Sequence, residues 1–106
     1  MKRPKTVKIL NLDYVVDWRD DDWREQTESH GQHCYTRQTI RIQKASPQIE
    51  ADVFLHEVLH AIADAMSLSD GASEEEFVSR TATGLATVWR DNPEAFKWWG
   101  KQLLAT

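Results

Sequence analysis

Between Asp52 and Asp64 the chain reads DVFLHEVLHAIAD, an apolar stretch interrupted by two histidines and one glutamate. His56 and His60 are four apart, which sets both imidazoles on one face of a helix. Glu57 stands about 100° round from His56 on the same helix. Leu55, Val58, Leu59 and Ile62 make a coherent core face, so the histidine pair takes the neighbouring one. Any fold for this chain must bury the first face and leave the second open. The H-E-x-x-H spacing is that of two zinc ligands with a general base beside them. The bland alternative is two histidines closing the edge of a core by hydrogen bonding.

Ser46 and Pro47 set the start of this helix, a capping hydroxyl followed by proline at the first helical position. The pattern carries it to about Met66. Upstream, TVKILNLDYVVDW (Thr6 to Trp18) is rich in β-branched and aromatic residues and predicts a strand with a turn near Asn11. RDDDWREQTESHGQ (Arg19 to Gln32) predicts a polar loop with a helical turn around Trp23 and solvated aspartates at Asp20 to Asp22. CYTRQTIRIQ (Cys34 to Gln43) alternates through Ile40 and Ile42 and predicts a half-buried strand. Downstream, Ser67 to Ser73 is turn-rich, and Ser73 with Glu76 has the spacing of a capping box. A second helix therefore runs from there to about Asp91. Asn92 and Pro93 end it and cap a third, to about Leu104, with Phe96, Trp99 and Leu103 on one stripe. Strands first and helices after predict an α+β fold, the helices packed on one face of a small, mostly antiparallel sheet.

A chain of 106 residues fits one domain, residues 1–106. Its core is modest, so a bound metal would add useful stability. The five tryptophans read as core filler. A net charge of −4 argues against gripping a phosphate backbone, which needs Lys and Arg in excess. The basic cluster Lys2, Arg3 and Lys5 reads as a frayed, solvated end. A single cysteine, Cys34, allows no disulfide within the chain. No apolar run approaches the roughly 20 residues of a membrane span, and no signal-peptide pattern is present. A cytoplasmic protein with neither membrane nor nucleic acid as partner is expected.

Zinc accepts neutral imidazole readily, and its catalytic sites use three protein ligands and leave one position to water. A glutamate placed like Glu57 can take a proton from that water. Of the four histidines, His30, His33, His56 and His60, none follows the motif, so the third ligand is not a downstream histidine. SEEEFVSR (Ser73 to Arg80) offers three carboxylates. A core stripe through Val78, Ala82, Leu85 and Trp89 turns Glu75 inward. It puts Glu76 on the far side with Arg80, Thr83 and Thr87, and leaves Glu74 between. The expected site is therefore zinc on His56, His60 and Glu75 with Glu57 as base, Glu74 and Glu76 being the alternatives. Asp64 shares a face with His60 and either orients a ligand from behind or is simply exposed.

With H-E-x-x-H and a downstream helical glutamate, the chain resembles the gluzincins, the thermolysin-like zinc peptidases. More closely it is similar to their smallest members, the minigluzincin-type peptidases, many of them from phages and prophages. The similarity runs through the strands, FLHEVLHAIAD, EEEFVSRTATGL and RDNPEAFKWW in that order. The first motif is specific; the others carry weight through their order. The resemblance implies a minimal single-domain zincin fold, zinc on His56, His60 and Glu75, and Glu57 as general base. It also implies an edge strand beside the zinc, within Cys34 to Gln43, that holds an extended peptide. Two departures stand out. The larger enzymes carry a transition-state-stabilising histidine or tyrosine on a separate C-terminal domain, for which His30, His33 and Tyr35 are the local substitutes here. In those enzymes the ligand glutamate is followed three residues on by serine or alanine and then aspartate. That frame selects Glu76, Ser79 and Arg80, but Arg80 is not an acid, so helical phase outweighs it.

The implied function is a zinc metalloendopeptidase acting on peptide or protein substrates. In one variant it is latent, its zinc blocked by the C-terminal helix with Trp98 and Trp99 or by the Cys34 thiolate. A rival from another class is a zinc-binding interaction module of a mobile element, directed at a host or phage regulator, with little peptidase activity. Glu57 favours catalysis, because a purely structural site needs no base.

Overall fold

The computed structural model describes residues 2–20, 23 and 30–105. β1 (Thr6–Ile9) and β2 (Leu12–Arg19) pair antiparallel around a tight turn at Leu10, whose φ is 56°. β3 (Gly31–Cys34) and β4 (Thr39–Gln43) form a second antiparallel hairpin. The hairpins join through a parallel pairing of β2 with β4, Val15 opposite Thr39 and Trp18 opposite Ile42, which gives the order β1-β2-β4-β3. Three helices follow: α1 (Pro47–Ala65), α2 (Glu74–Asp91) and α3 (Pro93–Leu104). The fold is α+β, with a mixed four-stranded sheet.

Two strand assignments change. β2 continues through Arg19 and β3 begins at Gly31, both inside the stretch read as loop. The single strand expected over Cys34 to Gln43 is the last residue of β3, a turn, and β4. Alternation marks a strand only where one face is deeply buried. Ile40 and Ile42 are buried, whereas β3 reads Gly-Gln-His-Cys and offers no apolar signal. Asp20 is exposed; Asp21 and Asp22 lie outside the described residues.

Val7, Ile9, Tyr14, Val16, Ile40 and Ile42 line the inner face of the sheet. α1 meets them with Ala51, Phe54, Val58, Ala61 and Ile62, while Leu55 and Leu59 are only half-buried. The indole of Trp98 is 1% exposed and stands edge-on to Phe54 and Trp18, with centroids 5.5 and 5.4 Å away. Because α3 meets both α1 and the end of β2, its buried side is Ala95, Phe96 and Trp98. Trp99 is half-buried and Leu103 exposed, so the stripe expected through Phe96, Trp99 and Leu103 is displaced. Core filling describes Trp98 and Trp23; Trp89 is exposed on one side. No described helix is long and apolar enough to cross a membrane.

The caps form as the serines predict. Ser46 accepts from the Ile49 N–H and Ser73 from the Glu76 N–H. Asn92 does otherwise: its side chain does not cap α3. It accepts from the Lys8 N–H and donates to the Lys8 and Val88 carbonyls, each at 2.7 Å, tying the corner between α2 and α3 to β1.

The segment from Lys2 to Lys5 is pinned rather than frayed. Arg3 forks onto Glu50 at 2.8 and 2.9 Å, and Glu50, 2% exposed, also accepts from the Ala45 N–H. Trp18 Nε1 donates to the Pro4 carbonyl. Arg3→Ala strands this carboxylate in the core. We expect a loss of about 2 kcal/mol in urea unfolding, below the range for a wholly buried pair because Arg3 is half open to water.

Candidate metal centre

β3 lies along α1 and turns Gly31 and His33 towards it. At Gly31 the approach is so close that a Cβ would stand 2.6 Å from Val53 Cγ1 and 2.8 Å from Glu57 Oε2. Only glycine allows the strand to come down there. Two residues on, His33 Nε2 is 2.5 Å from Asp64 Oδ2, and its ring lies parallel to that of His60 with centroids 5.3 Å apart. The strand thus follows the helix from Glu57 to Asp64. Between them opens a cleft of about 410 Å³ whose walls include Gly31, His33, Cys34, His56, Glu57 and His60.

The exposed His56 and His60 face each other through Nε2 at 3.1 Å. A tetrahedral zinc with bonds of about 2.0–2.1 Å holds two nitrogens roughly 3.3 Å apart, so the pair suits two ligands of one ion. Glu57 sits beneath Gly31 and is 5% exposed. Burial pushes its carboxyl pKa up, against the opposing pull of His56, His60 and His33. A carboxylate in that state is a stronger base than one in water.

Among the described residues no three His, Cys, Asp or Glu side chains converge as a metal-holding group. Glu74, Glu75 and Glu76 are all exposed. α2 presents Phe77 and Thr81 to the histidines, across a second cavity of about 260 Å³ that also touches Leu59 and Ala63. Further along, Gly84 and Val88 are buried, and a Cβ on Gly84 would stand 2.5 Å from Ile62 Cγ2. The stripe expected through Val78, Ala82, Leu85 and Trp89 is therefore not the seated one. Val78 and Trp89 are 54% and 44% exposed, Ala82 is exposed and Leu85 half-buried. A glycine, which carries no hydrophobic signal, sets the phase by letting α2 settle on Ile62.

Glu74 is three residues before Phe77 and seven before Thr81, on the side that faces the histidines. Glu75 is rotated about 100° from it. The observed face of α2, through Phe77 and Thr81, is thus in phase with Glu74, whereas the expected stripe is in phase with Glu75.

Asp64 is exposed, as one of the two expectations had it, and makes no hydrogen bond to His56 or His60; its carboxylate meets His33 instead. Of His30, His33 and Tyr35, only His33 lines the cleft. Tyr14 lies buried in the sheet, its hydroxyl without a hydrogen-bond partner among the described residues. Burial first, then the Asp64 charge, push its pKa up. Cys34 also lines the cleft, and the Thr36 hydroxyl and Arg37 backbone hold its thiol below the ordinary pKa. The edge strand beside the site is β3, Gly31–Cys34; β4 lies inside the sheet between β2 and β3. Of the expected range Cys34 to Gln43, only Cys34 belongs to that edge. No residue of α3 lines the cleft. Comparison with protein-family models, curated proteins and solved structures finds no match.

Proposed function

We propose that the chain is a zinc-dependent metallopeptidase of the H-E-x-x-H type, similar to the minigluzincins, with His56 and His60 holding the ion and Glu57 as general base. The observation that carries this reading is the pair of Nε2 atoms facing each other at 3.1 Å, with a buried carboxylate beside them. A zinc ion held there supplies Lewis acidity, making water acidic enough to lose a proton near neutral pH and polarising a carbonyl. Glu57 takes the proton from the attacking water and returns it to the leaving amine. β3, last in the order of the described sheet, is the strand beside which an extended peptide would lie. The apolar cavity against Phe77 and Thr81 receives a neighbouring side chain of the substrate.

The test is zinc stoichiometry together with cleavage of a peptide mixture, with and without a chelator. One zinc per chain and chelator-sensitive cleavage support the proposal; cleavage indifferent to zinc removal overturns it. For the third ligand we favour Glu74 over Glu75. Glu74→Gln should weaken zinc by more than the roughly 10–100-fold that an outer-shell change costs, while Glu75→Gln leaves it near wild type. The reverse pattern returns the ligand to Glu75. A second reading, a zinc-binding interaction module of a mobile element, draws on the third carboxylate standing apart from the histidines. A partner recovered whole with the zinc-loaded chain favours the module, and fragments favour the enzyme.

A further inference from the structure

A cavity of about 580 Å³ opens where the N-terminal segment, the end of β2 and the start of α1 meet. Its walls carry Lys2, Arg3, Lys5 and Lys44 and one carboxylate, Glu50. Arg3 already forks onto Glu50 and stands over the Trp18 ring, its guanidinium carbon 5.6 Å from the centroid. Lys2, Lys5 and Lys44 make no ion pair among the described residues. Elsewhere Lys8 pairs with Asp13, Arg19 and Arg41 share Asp17, and Arg90 holds Asp91. Unpaired like charges around one hollow repel each other, so they weaken the fold rather than hold it. In a chain of net charge −4, their gathering is not a by-product of a basic composition. The start of α1 at Pro47 adds the positive end of the helix dipole. Trp18 and Trp98 supply the apolar part of the wall.

We propose that this cavity binds a small anion bearing clustered phosphates, a nucleoside triphosphate or an inorganic polyphosphate, on Lys2, Lys5 and Lys44. Ammonium groups on flexible stems bind phosphate as point charges, and several of them suit a ligand with many negative oxygens. Arg3 is the fixed floor: it neutralises Glu50, so this carboxylate does not repel the ligand. The volume is that of a small-molecule site. A concave wall of this size encloses a small ligand, whereas an acidic protein surface would meet the lysines as well on a flat face. Binding here is independent of the peptidase reading, because the cavity and the cleft share no residue.

The experiment is calorimetric titration of the full chain with sodium tripolyphosphate, with ATP and with an oligoglutamate peptide, at about 0.15 M salt so that diffuse attraction is screened. We expect tripolyphosphate or ATP to bind at a single site. Lys5→Ala and Lys44→Ala should each weaken that binding about tenfold, and the triple alanine variant of Lys2, Lys5 and Lys44 should abolish it. All three residues are exposed, so the variants should keep the wild-type circular dichroism; Arg3→Ala is avoided because it strands Glu50. Lys97→Ala, at an exposed α3 residue outside the cavity, should leave binding within about twofold. ATP bound more tightly than tripolyphosphate makes the ligand a nucleotide with its base on the tryptophan side. Equal or weaker binding of ATP makes it the inorganic anion. No binding of either phosphate, binding that survives in the triple variant, or a loss in Lys97→Ala as large as in Lys44→Ala overturns the site. Tighter binding of oligoglutamate overturns it too, in favour of an acidic protein partner.

Discussion

Replacing Glu57 with glutamine is expected to leave zinc in place and to reduce peptide cleavage by about 10²–10⁴-fold, the usual worth of a positioned general base. The substitution keeps the shape of the side chain and removes its ability to accept a proton. Shape matters here, since Glu57 Oε2 lies where a Cβ on Gly31 would be 2.8 Å away. A larger or differently branched replacement would lift β3 and confuse loss of the base with loss of the edge. Glu57 is not in the pair of facing nitrogens, so metal content should hold. The measurement is kcat/KM at saturating zinc beside metal analysis of the same sample. Undiminished cleavage would take Glu57 out of the mechanism.

The second large effect concerns the C-terminal helix. Ending the chain after Trp89 removes Ala95, Phe96 and Trp98 from the core. It also removes the Trp99 Nε1 donor to the Ala51 carbonyl and the Asn92 tether to β1. Burying one large aromatic side chain is worth about 3–5 kcal/mol against alanine, and a domain of this size has only about 5–15 kcal/mol in total. The truncated chain is therefore expected to be unfolded by circular dichroism and without activity. Trp98→Ala is the milder form, expected to lose about 3–5 kcal/mol in urea while folding at low temperature. These outcomes separate a structural α3 from a plug over the zinc. A plug predicts a folded, more active truncation, and no residue of α3 reaches the cleft wall.

What could be read from the sequence was local. Helix boundaries came from Ser46, Pro47, Ser73 and Pro93, whose effects act within a turn. The facing histidines came from a spacing of four on one helix. What escaped depended on contacts between distant segments. β3 has no apolar alternation, and only its pairing with β4 makes it a strand. The phase of α2 is decided at Gly84, where the absence of a side chain fits Ile62, and a hydrophobic pattern cannot register an absence. The bond from His33 to Asp64 joins residues 31 apart in the chain, and neither residue alone announces the other. Asn92, read as a cap, is drawn off by the Lys8 backbone 84 residues away.

The order of the strands has a further consequence. The strand wall, Glu57, the histidine pair and the His33–Asp64 contact all come from one unbroken stretch, Gly31 to Asp64. The β1-β2 hairpin meets that stretch through the parallel seam with β4 and through the core, and supplies no cleft wall. With the candidate third ligand on α2, the candidate site draws on Gly31 to Asp64 and on that helix, and the first hairpin supports it from behind. Substitutions in the first hairpin that preserve its inward apolar side chains should change stability and leave the geometry of the cleft as it is.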